Sequence, residues 1–412
     1  MISVIIIGGG NRGYEVYGKI IKQRDDIKVV AIAEPNKEKR ERFAKEHNLK
    51  NDKVFSSWEN LLNLEKFADA VIITTPDRLH VEPAIAFMEK GYHLLLEKPI
   101  ATTLTDIKKV IYKAHKTRRI VLVGHVLRYT PFFKKLKELI DTKIIGKVIG
   151  IEHKENIGFF HFAHSFVRGN WRNSETSSPS ILAKSCHDFD ILYWLIGARC
   201  KYLTSFGELT FFKMENQPKG ASHRCLKCPE SIEKNCPYSA KKIYLTDYTG
   251  WPVSTISLDL SYKGRLKSLE EGPYGRCVFK SDNNVVDHQI VNMVFENNVK
   301  VTFTMSAFTD TITRRIRIFG TMGEIKGEFS KGEIVVIRFA DNKRDLYDLK
   351  VYSPESGHGG GDKGIIDHLV KVLNNEREVD YSIIDDSAYS HFMAFAAEHS
   401  RLSNGKVISV EV

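Results

Sequence analysis

The chain has 412 residues, 42% hydrophobic and 27% charged, and its 61 Lys and Arg outweigh 51 Asp and Glu to give a formal charge of +10. That composition describes a soluble globular protein of two or three domains. No apolar run nears the ~18 residues of a membrane span, and the basic residues are scattered, as in Lys37–Arg42, which argues against a nucleic-acid partner and for a solvated surface with an anionic small-molecule cofactor. Residues 2–7 are apolar but too short for a signal segment and follow no basic residue, so a cytoplasmic protein is expected. In that compartment the six cysteines are thiols or metal ligands in preference to disulfides.

The chain opens on Val4-Ile5-Ile6-Ile7-Gly8-Gly9-Gly10-Asn11-Arg12-Gly13. A short apolar run meets Gly8, Gly10 and Gly13 at G-x-G-x-x-G spacing, followed by a helix-capable stretch from Tyr14 to Gln23. Gly8 permits the sharp turn, Gly10 lets a pyrophosphate approach the backbone, and Gly13 lets the helix pack close to the strand. The helix start then offers free N–H groups to phosphate. A second run, Val29 to Ala33, ends at Glu34, placed to hold a ribose hydroxyl. The pattern predicts dinucleotide binding.

Strands are predicted near 2–7, 28–33, 70–75, 93–96 and 120–123, with helical patterns at Asn36–His47, Leu79–Lys90 and Thr105–Thr117. This alternation gives a parallel sheet with helices on both faces. Ligands bind at the carboxyl ends of such strands. Polar clusters fall at those ends: Thr74-Thr75-Pro76-Asp77, Glu97-Lys98-Pro99, and Gly124-His125 with Arg128 and Tyr129 beyond.

After about residue 145 the pattern becomes strand after strand: 147–156, 201–209, 255–262, 276–281, 290–296, 299–306, 314–319 and 333–339. One helix is predicted around Ile181–Ile196, and two more near Lys363–Asn374 and Ser387–Asn404. A mostly antiparallel sheet with helices on one face fits. Residues 213–245 are the least orderly.

The glycine turn, Thr75-Pro76, Glu97-Lys98-Pro99 and Gly124-His125 with Arg128-Tyr129 stand in an order and spacing that resembles the glucose–fructose oxidoreductase/inositol dehydrogenase/MocA (Gfo/Idh/MocA) family. Gly320-Thr321-Met322-Gly323-Glu324 extends the resemblance over nearly the whole chain. It implies an α/β protein: an N-terminal doubly wound Rossmann sheet, residues 1–124, holding NAD or NADP, and a C-terminal α+β domain, residues 125–412, with a large, mostly antiparallel open sheet for substrate binding and oligomerisation. It further implies hydride transfer at a hydroxyl carbon of a sugar, cyclitol or sugar derivative, in a homodimer or homotetramer.

Within that frame, Gly8, Gly10, Asn11, Arg12 and Gly13 are expected at the pyrophosphate and Glu34 at the adenosine ribose. Glu34 would repel a 2′-phosphate, which favours NAD over NADP. Thr75, Pro76, His80, Glu97 and Lys98 are expected at the nicotinamide half, with Arg128 in support. A lysine beside the nicotinamide can hold a substrate hydroxyl and help remove its proton if burial or a cation lowers its pKa from ~10.4. The family often has a cis bond at the proline that follows.

His187 matches the histidine of the family's D-x-x-x-H pattern, but the acid four residues earlier is replaced by Ala183. Lys184, His187 and Asp188 share one helical face at i, i+3 and i+4, so Lys184 is a third catalytic candidate and Asp188 a substrate contact. His161, His164, Arg168, Asn170, Trp171 and Arg172 read either as a sugar-binding face or as a salt-bridged loop. His358, within Gly357–Asp362, is a further substrate candidate on a late glycine-rich loop.

Cys225, Cys228 and Cys236, with His223, read as a structural zinc knuckle, as free thiols, or as a disulfide or cluster. Cys186, Cys200 and Cys277 read as small apolar residues. Two rival functions stand beside the dehydrogenase. One is an NAD-retaining glycosidase working by oxidation, elimination and reduction. The other is a non-enzymatic NAD-binding protein, for which the missing acid at Ala183 is the support.

Overall fold

The computed structural model describes residues 1–349, 358–374 and 384–411. Six strands form the first sheet: β1 (Ile2–Ile7), β2 (Ile27–Ala33), β3 (Val54–Phe55), β4 (Ala70–Ile73), β5 (His93–Leu96) and β6 (Val121–Val123), in the order β3-β2-β1-β4-β5-β6. Every pair is parallel. β1, β4 and β5 are buried on both faces, which is why they are unbroken apolar runs. The topology turns outward in both directions from β1 and β4, and their carboxyl ends frame the crevice where such sheets bind ligands.

Local chemistry starts the helices where the sequence places them. Asn36 caps Lys37–Glu46 through Lys39 N–H at 3.0 Å, and Thr103 caps Leu104–Thr117 through Asp106 N–H at 3.1 Å. Thr130 caps Pro131–Asp141, with proline in the first position, where its missing N–H costs nothing.

Among the described residues the second sheet has nine strands: β7 (Val148–Asn156), β8 (Cys200–Glu208), β9 (His288–Phe295), β10 (Lys300–Ser306), β11 (Thr313–Gly320), β12 (Gly323–Glu328), β13 (Glu333–Arg338), β14 (Arg344–Asp348) and β15 (Ile408–Ser409). Their order is β14-β13-β12-β11-β7-β10-β9-β8-β15. Only β7 and β10 pair in parallel. Helices Cys186–Ile196 and Ile384–Leu402 pack together on its inner side, the second against β8, and Phe189 meets Phe303 there at 5.4 Å. The other face leaves Tyr202, Phe206 and Ile290 exposed.

Three differences from the sequence expectation have physical causes. Residues 255–262 and 276–281 are not strands; the first leads into a helix, Tyr262–Glu271, and the second joins only a single bridge between Arg224 and Arg276. β12 is a strand that its glycines conceal: a Cβ on Gly327 would stand 2.8 Å from the Phe132 ring, so close packing has replaced the β-branched residue a pattern search needs. The helix expected over Ile181–Ile196 is two, Ser180–Ala183 and Cys186–Ile196. Lys184 therefore sits on the break between them.

Candidate active site

The glycine turn is built as its spacing demands. Gly8 has φ +96°, and a Cβ there would stand 2.8 Å from Thr74 O. At Gly13 it would stand 2.0 Å from Gly8 O. At Gly10 it would meet nothing within 4 Å; that opening over the backbone is the cradle a pyrophosphate requires. Glu34 ends β2 and folds back onto the turn, accepting from Gly9 N–H at 2.6 Å and Asn36 N–H at 2.9 Å. The donor set and the open cradle fit a dinucleotide.

Arg12 does not point to that cradle. It donates to Glu97 at 2.5 Å, to Asp362 at 2.8 Å and to the Tyr17 hydroxyl at 2.7 Å, and Tyr17 donates to Glu97 at 2.6 Å. Two buried carboxylates require a cation, and Arg12 is that cation. Despite burial, Arg12 holds Glu97 below the usual carboxylate range, and with His358 it holds Asp362 well below it. Glu97 thus faces inward, beneath Gly124, where a Cβ would stand 2.9 Å from its carboxylate.

The Thr75-Pro76 turn is fixed to the next strand end by His80, buried, whose ring nitrogens meet Pro99 O at 2.7 Å and Thr75 O at 2.8 Å. His80 is therefore spent on positioning. The Lys98–Pro99 bond is cis. Lys98 Nζ reaches across to the second domain, donating to Ala183 O at 2.6 Å and lying 5.7 Å from the Trp171 ring. Trp171 Nε1 donates to the Asp77 carboxylate at 3.0 Å, which also accepts from Ser177 and Ser178 hydroxyls. Asp77 is a site-region residue to which sequence reasoning gave no role; it stands in the quoted Thr74–Asp77 cluster, which was its signal.

His187 is buried, its ring 5.7 Å from His358 and 5.7 Å from His125. Burial first, then Lys98, His125 and His358, pushes its pKa well below the ordinary value. It is neutral at pH 7, and its Nδ1 has no partner among the described residues. His358 lies on the short turn before Gly361–Leu373 and meets Asp362 at 3.1 Å; Gly357 lies outside the described residues.

Beneath the Cys186–Ile196 helix the inner face of the second sheet carries a charged group. Arg314 on β11 meets Asp188 at 2.8 Å and Glu155 on β7 at 2.6 Å; His153 meets Asp188 at 2.8 Å; Lys184 Nζ stands 3.3 Å from Glu155. Asp188 is consumed by Arg314 and His153, which hold it well below its ordinary value against burial. It is not open to a substrate. Glu155 is pushed up by burial, with Arg314 opposing and Asp188 adding to the rise, while Lys184 is pushed down by burial with Glu155 opposing.

Four other sequence candidates lie away from Lys98. Arg128 is buried in a bidentate pair with Asp190 at 2.7 and 2.8 Å, which locks the strand end after β6 to the Cys186–Ile196 helix. His164 is held by Tyr244 at 2.9 Å and Thr255 at 3.2 Å. Arg172 pairs with Asp282 at 2.7 Å near the surface. Arg168 is fully buried and turned into the segment between β8 and β9.

His223 is exposed, and among the described residues no three His, Cys, Asp or Glu side chains are grouped closely enough to hold a metal ion as they stand. The set Cys225, Cys228, Cys236 and His223 is therefore not a formed site. No described helix is long and apolar enough to cross a membrane.

A parallel sheet of this order with an open glycine cradle, and a lysine at the neighbouring strand end facing a second, open-sheet domain, defines a dinucleotide-binding oxidoreductase. The chain belongs to the GFO_IDH_MocA oxidoreductase family: residues 2–125 match its NAD-binding Rossmann fold and residues 137–407 its C-terminal alpha/beta domain. Among curated relatives, the putative oxidoreductase YteT of Bacillus subtilis is 24% identical, covering 76% of this chain and 74% of its own length. The 2,7-anhydro-N-acetylneuraminate hydratase of Mediterraneibacter gnavus is 27% identical, covering 50% and 52%. The inositol 2-dehydrogenase/D-chiro-inositol 3-dehydrogenase of Halalkalibacterium halodurans is 28% identical, covering 46% and 51%. The chain thus spans about half the length of the last two.

Proposed function

We infer that the protein moves a hydride between NAD and a secondary hydroxyl carbon of a sugar, cyclitol or sugar derivative. The observation that carries this is the contact of Lys98 Nζ with the Ala183 carbonyl across 85 positions of chain: the lysine at the end of β5 meets the second domain at the residue where the family pattern has an acid. NAD, when bound, supplies the hydride acceptor. Gly10 and Asn11 would hold its phosphates by backbone N–H groups, while Gly8, whose own N–H donates to Ala33 O at 2.9 Å, shapes the turn; Glu34 would hold its ribose and disfavour a 2′-phosphate.

Lys98 orients the hydroxyl and takes its proton. His187, neutral and with Nδ1 unpartnered, is the second hydrogen-bonding group on that oxygen. The acid missing at Ala183 has a substitute from another element. Lys184, on the break between two helices, is paired to Glu155 of β7, and the Glu155 carboxylate is the group that would receive the proton through it. Burial pushes the carboxyl up and the ammonium down, the direction that suits general acid–base chemistry. Trp171 beside Lys98 presents an apolar wall to a sugar ring. The outer face of the nine-stranded sheet, with Tyr202, Phe206 and Ile290 exposed, is the surface for a homo-oligomer.

The presence of a second acid–base pair beside Lys98, together with a relative named as a hydratase, also supports a cycle of oxidation, elimination and reduction. There the pair would remove the proton next to the new carbonyl and return it to the leaving oxygen. One assay separates the two. Inositols, free sugars and glycosides are offered with NAD: a dehydrogenase accumulates NADH in step with substrate, and the cycle releases aglycone with no net NADH. Failure of the protein to bind either nicotinamide dinucleotide would end both readings.

A further inference from the structure

The segment between β8 and β9 has one small buried cluster apart from the main core, Cys225, Ala240, Tyr244, Val253 and Leu269, while Phe212, Tyr238, Val278 and Phe279 join that core. Clusters this small are commonly stapled. One small cavity of about 30 Å³ is lined by Cys225, Cys228, Cys236 and Cys277, all free. Cys277 arrives there because its N–H donates to His223 O at 2.9 Å and Arg276 bridges Arg224, which lays the later stretch beside the C-x-x-C. The sequence reading had set Cys277 aside as apolar and named His223; only the chain's return exchanges them.

Arg168 is the independent observation. Its side chain is wholly buried, and among the described residues no carboxylate pairs with it. It donates to Arg276 O at 2.8 Å, Tyr238 O at 2.7 Å and Cys225 Sγ at 3.4 Å, and its Nη1 has no partner. A buried guanidinium without an anion is costly by several kcal/mol. Besides the Tyr244 phenol, which burial pushes up, the groups facing it that can become anionic are the cysteines: it touches Cys225 and the carbonyl next to Cys277 in sequence.

We propose that Cys225, Cys228, Cys236 and Cys277 bind one zinc ion as four thiolates, with Arg168 as the counter-charge of the centre. Four thiolates on a divalent ion carry a net charge of −2, which gives Arg168 its anion and the segment its staple. The thiols ring the cavity without closing to ligand distance. Binding releases the protons and draws the sulfurs onto the ion.

The test is metal analysis of the full chain after zinc loading and gel filtration. We expect about one equivalent in the wild type and in His223→Ala, and less than about a tenth in Cys277→Ser. Because Cys277→Ser can fail to fold, the wild type is also titrated with an organomercurial, and zinc should leave in step with the thiols consumed. Less than about a tenth of an equivalent in the loaded wild type overturns the proposal. So does full retention by Cys277→Ser, loss from His223→Ala, or iron with visible absorbance in place of zinc. None of these readouts depends on turnover or on NAD.

Discussion

Two buried charged clusters, one around Arg12 and one around Arg314, are built differently. Around Arg12, the carboxylates Glu97 and Asp362 share one cation and a tyrosine hydroxyl, and both are held below their ordinary range. Around Arg314, Asp188 is equally satisfied, but Glu155 is pushed up and its second partner is Lys184. The first cluster has no proton left to move, so it docks the Gly361–Leu373 helix onto the cofactor domain. In the second, burial pushes Glu155 up and Lys184 down, which is why the proposed acid–base role falls there and not on the first.

Breaking each network should therefore be read by a different instrument. Lys98→Met, outside both, should lower kcat by about 10²- to 10⁴-fold while NAD affinity, measured by calorimetry, stays within about twofold. Arg12→Met leaves two carboxylates buried without their cation and should cost about 3–5 kcal/mol in urea unfolding. Glu155→Gln takes the carboxylate from Lys184 but leaves Arg314 its pair with Asp188, so it should cost less stability than Arg12→Met and lower kcat by about 10- to 100-fold, with a changed pH–rate profile, because the general-base contribution is removed. An equal loss of stability in Arg12→Met and Glu155→Gln would erase the distinction.

A smaller effect concerns acid. His125, His164 and His391 are each pushed to about 3, by burial first. Each takes up a proton near ~6.5 once unfolded but not while folded. Stability is therefore full above ~6.5 and falls as pH drops from there toward about 3, on the order of 1 kcal/mol per histidine for the first unit. Chemical unfolding at pH 7.5 and 5.5 checks the sign. Gly10→Ala should weaken NAD binding about tenfold at unchanged Tm, since its Cβ meets no protein atom within 4 Å but intrudes on the pyrophosphate.

Local signals made much of the fold legible. Apolar runs buried on both faces marked β1, β4 and β5, and alternation marked β7, β9, β10 and β11. β12 escaped because Gly323 and Gly327 serve packing, and β3 and β15 because two residues carry no period. At the site, Lys98 and the open turn at Gly10 could be placed from strand ends, and His187, on the Cys186–Ile196 helix, only from the resemblance to the family's D-x-x-x-H pattern. Arg128, Arg168, Asp188 and Arg12 could not: each was assigned by residue type, yet its direction was decided by a partner distant in sequence.

By itself the sequence determined where strands stop and glycines begin, and so the cofactor turn, the lysine beside it and the change of architecture after residue 145. Those depend on backbone geometry and on burial within a few residues. Only the tertiary structure decided which carboxylate serves Lys184, which cation neutralises Glu97, and that Cys277 stands with Cys225. Charge pairing and ligand grouping act through space at about 3–4 Å, and no spacing along the chain records which distant segment will return to that distance.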